Sequence, residues 1–405
     1  MLFKLAFRNI WRNRRRTVIT AASILFAVFF SIVMRCIQEG TWDYMIDSVV
    51  RYHIGYAQIH EKGYWDEQTI NKAFPVADSL NELASEDRNI EGLIPRMEHF
   101  ALASAKETTR GVMVIGIDPQ REDHFSQLSE RIDKGEYLKA DDTGILVANG
   151  LADKLDLDLG DSLVLLSQGF RGANAVGIYP VRGIIHFGSP EMASRMVYMP
   201  IKEARYFFGA YDRVSSLVVD LEGKSEVPEA VAYFKNVLDT STYEVMSYKE
   251  MMPELIEAKE FDVVGSYVIM AVLYLIIGFG IFGTLLMMLK EREYEFGVLK
   301  AIGMKSAQLY GMVWMESIML GLIGCIAGVL VALPFVAWLA SSPIPLTGDM
   351  GEVYEQFGIE PVIVTVVDPV VIGNQTMVIM LIVTLLSFYP LSKIRRLSPV
   401  EAMRG

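Results

Sequence analysis

Four apolar runs, at residues 17–37, 263–289, 309–340 and 376–392, constrain this chain more than any other feature. Crossing the hydrocarbon core of a bilayer takes about 20 apolar residues of helix, and each run approaches or exceeds that length. Backbone polar groups inside a bilayer must be satisfied within the segment, so each run is predicted to be a helix. No Ala-x-Ala site follows the first run, which is therefore read as an uncleaved anchor rather than a signal peptide. Between the first two runs lies a polar stretch, residues 38–262, long enough to form its own core. The whole chain is 52% hydrophobic and 21% charged, too apolar for a soluble enzyme and too charged for a bare helix bundle. The predicted fold class is an α-helical membrane protein with four transmembrane helices plus a large α+β extracytoplasmic domain.

Charge sets the expected orientation. Residues 1–16 carry Lys4, Arg8, Arg12, Arg14, Arg15 and Arg16 and no acid. The connection 290–308 holds Lys290, Arg292, Lys300 and Lys305, and the tail 393–405 holds Lys393, Arg395, Arg396 and Arg404. By contrast, residues 38–262 hold 39 Asp and Glu against 22 Lys and Arg, and the loop 341–375 is acidic. The positive-inside rule then places both termini and the 290–308 connection in the cytoplasm. Phe3, Phe7, Ile10 and Trp11 share a helical face, so residues 1–16 read as an amphipathic segment lying on the inner membrane surface. The net charge of −12 excludes nucleic acid as a partner and leaves the lipid bilayer as the evident one.

The polar stretch mixes strand and helix patterns. Strands are predicted at 111–118, 144–147, 162–166, 179–185 and 196–199, and helices at 149–155, 201–208 and 227–238. Segments 61–75 and 166–178 read as loops or an inserted subdomain. No catalytic residues are assigned: there is no Gly-x-Ser-x-Gly elbow. No metal is expected either, because the five histidines are scattered and the Asp156, Asp158 and Asp161 cluster lacks calcium-loop spacing. Cys36 and Cys325 lie in or beside apolar runs and are read as membrane-embedded thiols. The Gly-Lys-Ser at 223–225 is no P-loop, since Val218 stands where the first glycine is required.

Two charged motifs next to the membrane runs carry a family resemblance. Glu291-Arg292-Glu293-Tyr294-Glu295-Phe296-Gly297-Val298-Leu299-Lys300-Ala301-Ile302-Gly303 resembles the signature of ABC transporter permeases of the MacB/FtsX superfamily. Arg395 to Arg404, with Pro399-Val400-Glu401-Ala402, is similar to the C-terminal motif of that superfamily. Gly116-Ile117-Asp118-Pro119, Leu151-Ala152 through Gly160-Asp161, and Tyr198-Met199-Pro200 resemble landmarks of its periplasmic core domain. The segment from Arg51 to Tyr64 is similar to the LolC/LolE lipoprotein-releasing type. The resemblance implies a bacterial inner-membrane subunit that binds no cofactor itself, with ATP and Mg on a separate cytoplasmic ABC ATPase. It further implies a second permease copy or homologue, and a lipoprotein or other periplasmic cargo with a carrier. The alternatives are a MacB-like efflux module or an FtsX-like regulator of cell-wall hydrolases.

Site residues follow from that resemblance and from the membrane runs. Glu291, Arg292, Glu295, Gly297 and Lys300 are expected to couple to the ATPase. Glu291 and Glu295 share a helical face at i,i+4, Arg292 pairs with Glu295, and Gly297 admits a close partner surface. Gly303 is expected to end this helix and Ser306 to cap the next. Gly321, Gly324 and Gly328 form a small-residue stripe for close helix packing, able to bring two permeases together. Gly278, Gly280 and Gly283 are read as a second such set or as points of flexibility in the second run. Glu316 is the one acid within a run, expected to snorkel or to take an interhelical hydrogen bond. Phe26, Phe29, Phe30, Met34, Val264 and Tyr267 form the candidate lipid or cargo face.

Overall fold

Leucine, isoleucine, valine, phenylalanine and methionine in unbroken runs give helix wherever no turn residue intervenes, and the computed structural model contains four such helices. It describes residues 7–8, 10–12, 14–76, 78–221, 223–348, 351 and 362–396. The four helices long and apolar enough to cross a membrane lie within α1 (Arg14–Val49), α2 (Pro253–Glu291), α4 (Ser306–Ser341) and α5 (Pro369–Leu386). A short α3 (Glu293–Ala301) joins α2 to α4, and α6 (Tyr389–Arg396) follows α5. Helices α1 and α2 outrun their apolar stretches because hydropathy does not end a helix; only a cap or a breaker does. One compact unit comprises Met1–Asp43, Ala258–Ile344 and Ile363–Gly405. Its core packs Ile24, Val28 and Ile32 with Ile281, Leu285, Val313, Ile379 and Val383.

The second unit comprises Tyr44–Glu257 and Pro345–Val362. It is built on ten strands: β1 (Ala57–Glu61), β2 (Gly92–Ala105), β3 (Thr108–Ile117), β4 (Ile132–Gly135), β5 (Ile145–Ala148), β6 (Ser162–Gln168), β7 (Asn174–Ile185), β8 (Met196–Pro200), β9 (Ser216–Asp220) and β10 (Tyr243–Ser247). The path runs β10-β1-β9-β2-β3-β8-β5-β7-β4, and β6 bridges β2 to β7. Six strands thus close on themselves in the order β2-β3-β8-β5-β7-β6. Closure removes the free edges that an open sheet would present. Ala101, Ala103, Val112, Leu163 and Leu165 on these strands are buried. Helices Asn149–Leu155, Ile201–Phe207 and Val227–Val237 bury one face each in the same core.

Two features depart from the sequence expectation. Residues 166–178 form the end of a hairpin, since β6 pairs with β7 from Ser162↔Pro180 to Gln168↔Asn174. The central strand β2, fourteen residues long, escaped notice because Arg96 and Glu98 interrupt its apolar pattern. Both are buried: Arg96 donates to the two oxygens of Glu122 at 2.9 and 2.6 Å and lies 3.5 Å from Glu98. The helix Pro119–Ser126 delivers Glu122, so this ion pair ties it to β2 and fills core positions with charge.

His60 on β1 is fully buried, 2.6 Å from Gln58 Oε1 and stacked on the Trp65 ring at 5.6 Å. Burial lowers its pKa from 6.5 to about 3. The unfolded chain therefore takes up a proton on acidification that the folded domain refuses. Stability is full above about pH 6.5 and falls as pH drops toward 3, by about 2 kcal/mol at pH 5. Urea unfolding at pH 7 and pH 5 tests this; His60→Gln is expected to flatten the acid side of the profile.

Candidate functional site

Helix α2 stops at Glu291 because Arg292 leaves the helical region, with φ −105° and ψ 6°. The chain turns there and restarts as α3. Gly303, at φ +101°, closes α3: its N–H donates to Lys300 O at 3.1 Å, and Met304 N–H donates to Leu299 O at 3.0 Å. Both bonds satisfy terminal carbonyls, and the positive φ favours glycine there. Ser306 is the first helical residue of α4 rather than its cap; the Gln308 carboxamide oxygen accepts from Lys305 N–H at 3.2 Å instead.

The turn is held by charge. Arg292 is 6% exposed and donates from Nη1 to Glu316 Oε2 at 2.6 Å, while Glu316, on α4, is fully buried. Arg292 Nε also donates to Glu295 Oε2 at 3.1 Å, and its guanidinium lies 5.1 Å from the Phe296 ring centre. Arg12 donates to the other oxygen of Glu295. One arginine therefore bridges the α2–α3 turn to the first third of α4, and Glu295 extends the network to the N-terminal segment. Glu316 does not snorkel; it takes the interhelical bond. Removing Arg292 from such a pair is costly, because it takes the cation away from a fully buried carboxylate.

Two expectations about α3 need correction. Glu291 and Glu295 do not share a helical face, because the break at Arg292 places them on different helices. Gly297 is buried within this chain, so its backbone is not an open surface for an incoming partner. The exposed part of the junction is Glu291, Tyr294 at 61% and Ile302 at 79%, with Lys300 half-buried.

The glycine stripe is likewise used inside the chain. A Cβ at Gly324 would stand 2.6 Å from Ile24 Cβ, and one at Gly328 would stand 2.7 Å from Val28 Cβ, so α4 and α1 are in backbone contact there. Gly321 faces α5, where a Cβ would meet Val383 at 3.0 Å and Met380 Sδ at 3.2 Å. The stripe is consumed by these contacts and is not a free surface for a second chain. Gly280 and Gly283 face open space and Gly278 meets only Ile382 at 3.9 Å, so they are not close-packing positions.

At the far end of α1 and α2 a polar clasp joins the two helices. Arg35 donates to Glu39 and Gln38, each at 2.6 Å, and to Ser266 at 3.3 Å. Trp42 Nε1 and Gln38 donate to Asp262 at 2.7 and 2.8 Å, and Lys259 lies 3.5 Å from both Glu39 and Asp43. In the sheet unit, Glu91, His124 and Asp220 gather where the end of β9 meets the start of β2, and burial with the Glu91 carboxylate nearby pushes Asp220 up to about 6. Neither grouping was anticipated, because its members are far apart in sequence.

Comparison with known families decides the class. The MacB-like periplasmic core domain matches residues 17–237, over half of the 405 residues, and the FtsX-like permease C-terminal region matches residues 267–399. The chain is an ABC transporter permease of the MacB/FtsX family. It is 25% identical over 338 residues to the lipoprotein-releasing system transmembrane protein LolC of Xylella fastidiosa, covering 80% of this chain and 79% of that one. It is 22% identical over 341 residues to the macrolide export ATP-binding/permease protein MacB of Nitrobacter winogradskyi, and spans half the length of that relative. The solved periplasmic region of MacB from Actinobacillus actinomycetemcomitans aligns at 14% identity over 53% of this chain and 98% of that one, with a TM-score of 0.36.

In this permease the candidate cargo face is largely exposed on the helical unit: Phe26 57%, Phe30 55%, Met34 41%, Val264 62% and Tyr267 61%. Arg35 links the two halves, its guanidinium 5.7 Å from the Tyr267 ring centre. Phe29 departs from the set: its ring packs 5.4 Å from Phe335 of α4, making it a structural contact. The C-terminal motif lies outside the described residues beyond Arg396. Cys36 and Cys325 are both buried and unpaired.

Proposed function

We propose that this permease couples a separate ATPase, docked at α3, to the extraction of lipoproteins from the inner membrane for a periplasmic carrier. The observation that carries the coupling is the Arg292–Glu316 pair at 2.6 Å, which makes α3 a lever fastened to α4 rather than a free loop. A push on α3 then moves α4, and through Gly324 and Gly328 it moves α1. Lys and Arg at residues 290–305 and at both chain ends support a cytoplasmic position for α3 and the termini. The lipoprotein reading is supported by the 79% coverage of LolC, against 50% of a MacB that carries its ATP-binding part in the same chain. A second permease chain, identical or homologous, completes the proposed assembly.

The test is reconstitution in liposomes with the cognate ATPase and a fluorescent triacylated lipoprotein. ATP is expected to release lipoprotein into the soluble fraction only when a lipoprotein carrier is present. ATP turnover without release, together with export of small amphiphiles, would instead establish the MacB-like efflux reading.

A further inference from the structure

The last turn of α2, the buried side of α3 and helix α6 enclose a cavity of about 250 Å³, lined by Leu286, Leu289, Lys290, Glu293, Phe296, Lys393 and Ile394. Its walls are apolar: Leu289, Phe296 and Ile394 are buried at 6%, 1% and 1% exposure. Its mouth is cationic. Lys290 and Lys393 are exposed, and Lys393 forms no ion pair among the described residues. Glu293 offsets one of them, lying 2.6 Å from Lys290, so the mouth keeps a net positive charge. The cavity sits where the apolar run of α2 gives way to its first charge, Lys290, which is the level of lipid headgroups.

We propose that this cavity is a binding site for one anionic phospholipid, with the phosphate and polar headgroup at Lys290 and Lys393 and the glycerol and first methylenes against Leu289, Phe296 and Ile394. A free phosphate would satisfy the lysines and leave the apolar walls uncovered. A neutral lipid would fill the walls and leave the lysines unmatched. Only an amphiphile with an anionic head meets both. Juxtamembrane cations attract anionic lipid by about 1 kcal/mol each, so the one net positive charge of the mouth favours it about fivefold over a zwitterionic one. Because Phe296 belongs to α3, the lipid braces the coupling helix; that consequence rests on the proposed function, whereas the binding does not.

The experiment is native mass spectrometry of the full-length permease titrated with phosphatidylglycerol or phosphatidylcholine, with no ATPase present. Phosphatidylglycerol is expected to be retained about fivefold more strongly. The paired substitution Lys290→Ala with Lys393→Ala is expected to abolish the preference, and Lys290→Arg with Lys393→Arg to keep it. Equal retention of the two lipids, or a preference that survives the alanine pair, would overturn the proposal. So would displacement of phosphatidylglycerol by millimolar glycerol phosphate, which would mark a site for the anion alone. Failure of the ATPase to dock at α3 would leave these lipid results unchanged, so the two readings fail separately.

Discussion

Replacing Arg292 with Met is expected to destabilise the permease by about 3–5 kcal/mol, because Glu316 would remain fully buried without its cation. Arg292 Nη1 donates to that carboxylate at 2.6 Å, across the helix turn. Glu316→Leu alone should cost less, because Arg292 keeps its bond to Glu295 Oε2 at 3.1 Å. The paired change Arg292→Met with Glu316→Leu removes both charges and is expected to recover most of the stability, since apolar replacement of a whole buried pair is often neutral. Thermal unfolding of the detergent-solubilised protein gives the three values. If the pair also transmits the ATPase stroke, the double variant will bind the ATPase and turn over ATP without releasing cargo. Arg12 and Glu295 sit at an exposed pair, and Arg12→Ala should change stability by less than about 1 kcal/mol.

The second large effect lies in the contact between α1 and α4. Gly324→Val and Gly328→Val each force a side chain to within van der Waals overlap of Ile24 or Val28, and of the backbone carbonyls of Ala21 and Leu25 at 3.0 Å. A backbone oxygen cannot swing aside, so the helices must separate. Each substitution is expected to cost about 1–3 kcal/mol or more, and the two together to prevent accumulation of folded protein. Gly280→Ala is the control: nothing lies within 4 Å of its Cβ position, and stability should be unchanged or slightly raised. Ile24→Ala is expected to relieve part of the Gly324→Val defect, which would identify the clash as local.

The membrane helices were legible because hydropathy and length alone identify them. Segments such as β3 (GVMVIGI within Thr108–Ile117) were legible for a related reason: their residues are continuously apolar and β-branched. What stayed hidden has a common cause. Arg96 and Glu98 broke the pattern of β2, and Arg292 read as an ATPase-coupling residue paired with Glu295, because a sequence shows that a residue is charged but not that its counter-ion is 24 or 26 positions away. Gly297 and the Gly321, Gly324, Gly328 stripe were recognised as close-approach positions, yet which surface approaches is a property of the folded helices. The same limit applies to the cavity between α2, α3 and α6, whose lining comes from three helices separated by up to about a hundred residues.

The most direct test of the account places a photo-crosslinking residue at Tyr294, and separately at Ile302, the two exposed large hydrophobic side chains of the junction. With the partner ATPase present, both positions are expected to cross-link to it, and the yield to change between ATP-bound and nucleotide-free states. A crosslinker at Tyr211, exposed in the sheet unit, should give none. Absence of any ATPase adduct at Tyr294 and Ile302 in a preparation that still hydrolyses ATP would contradict the claim that α3 receives the stroke.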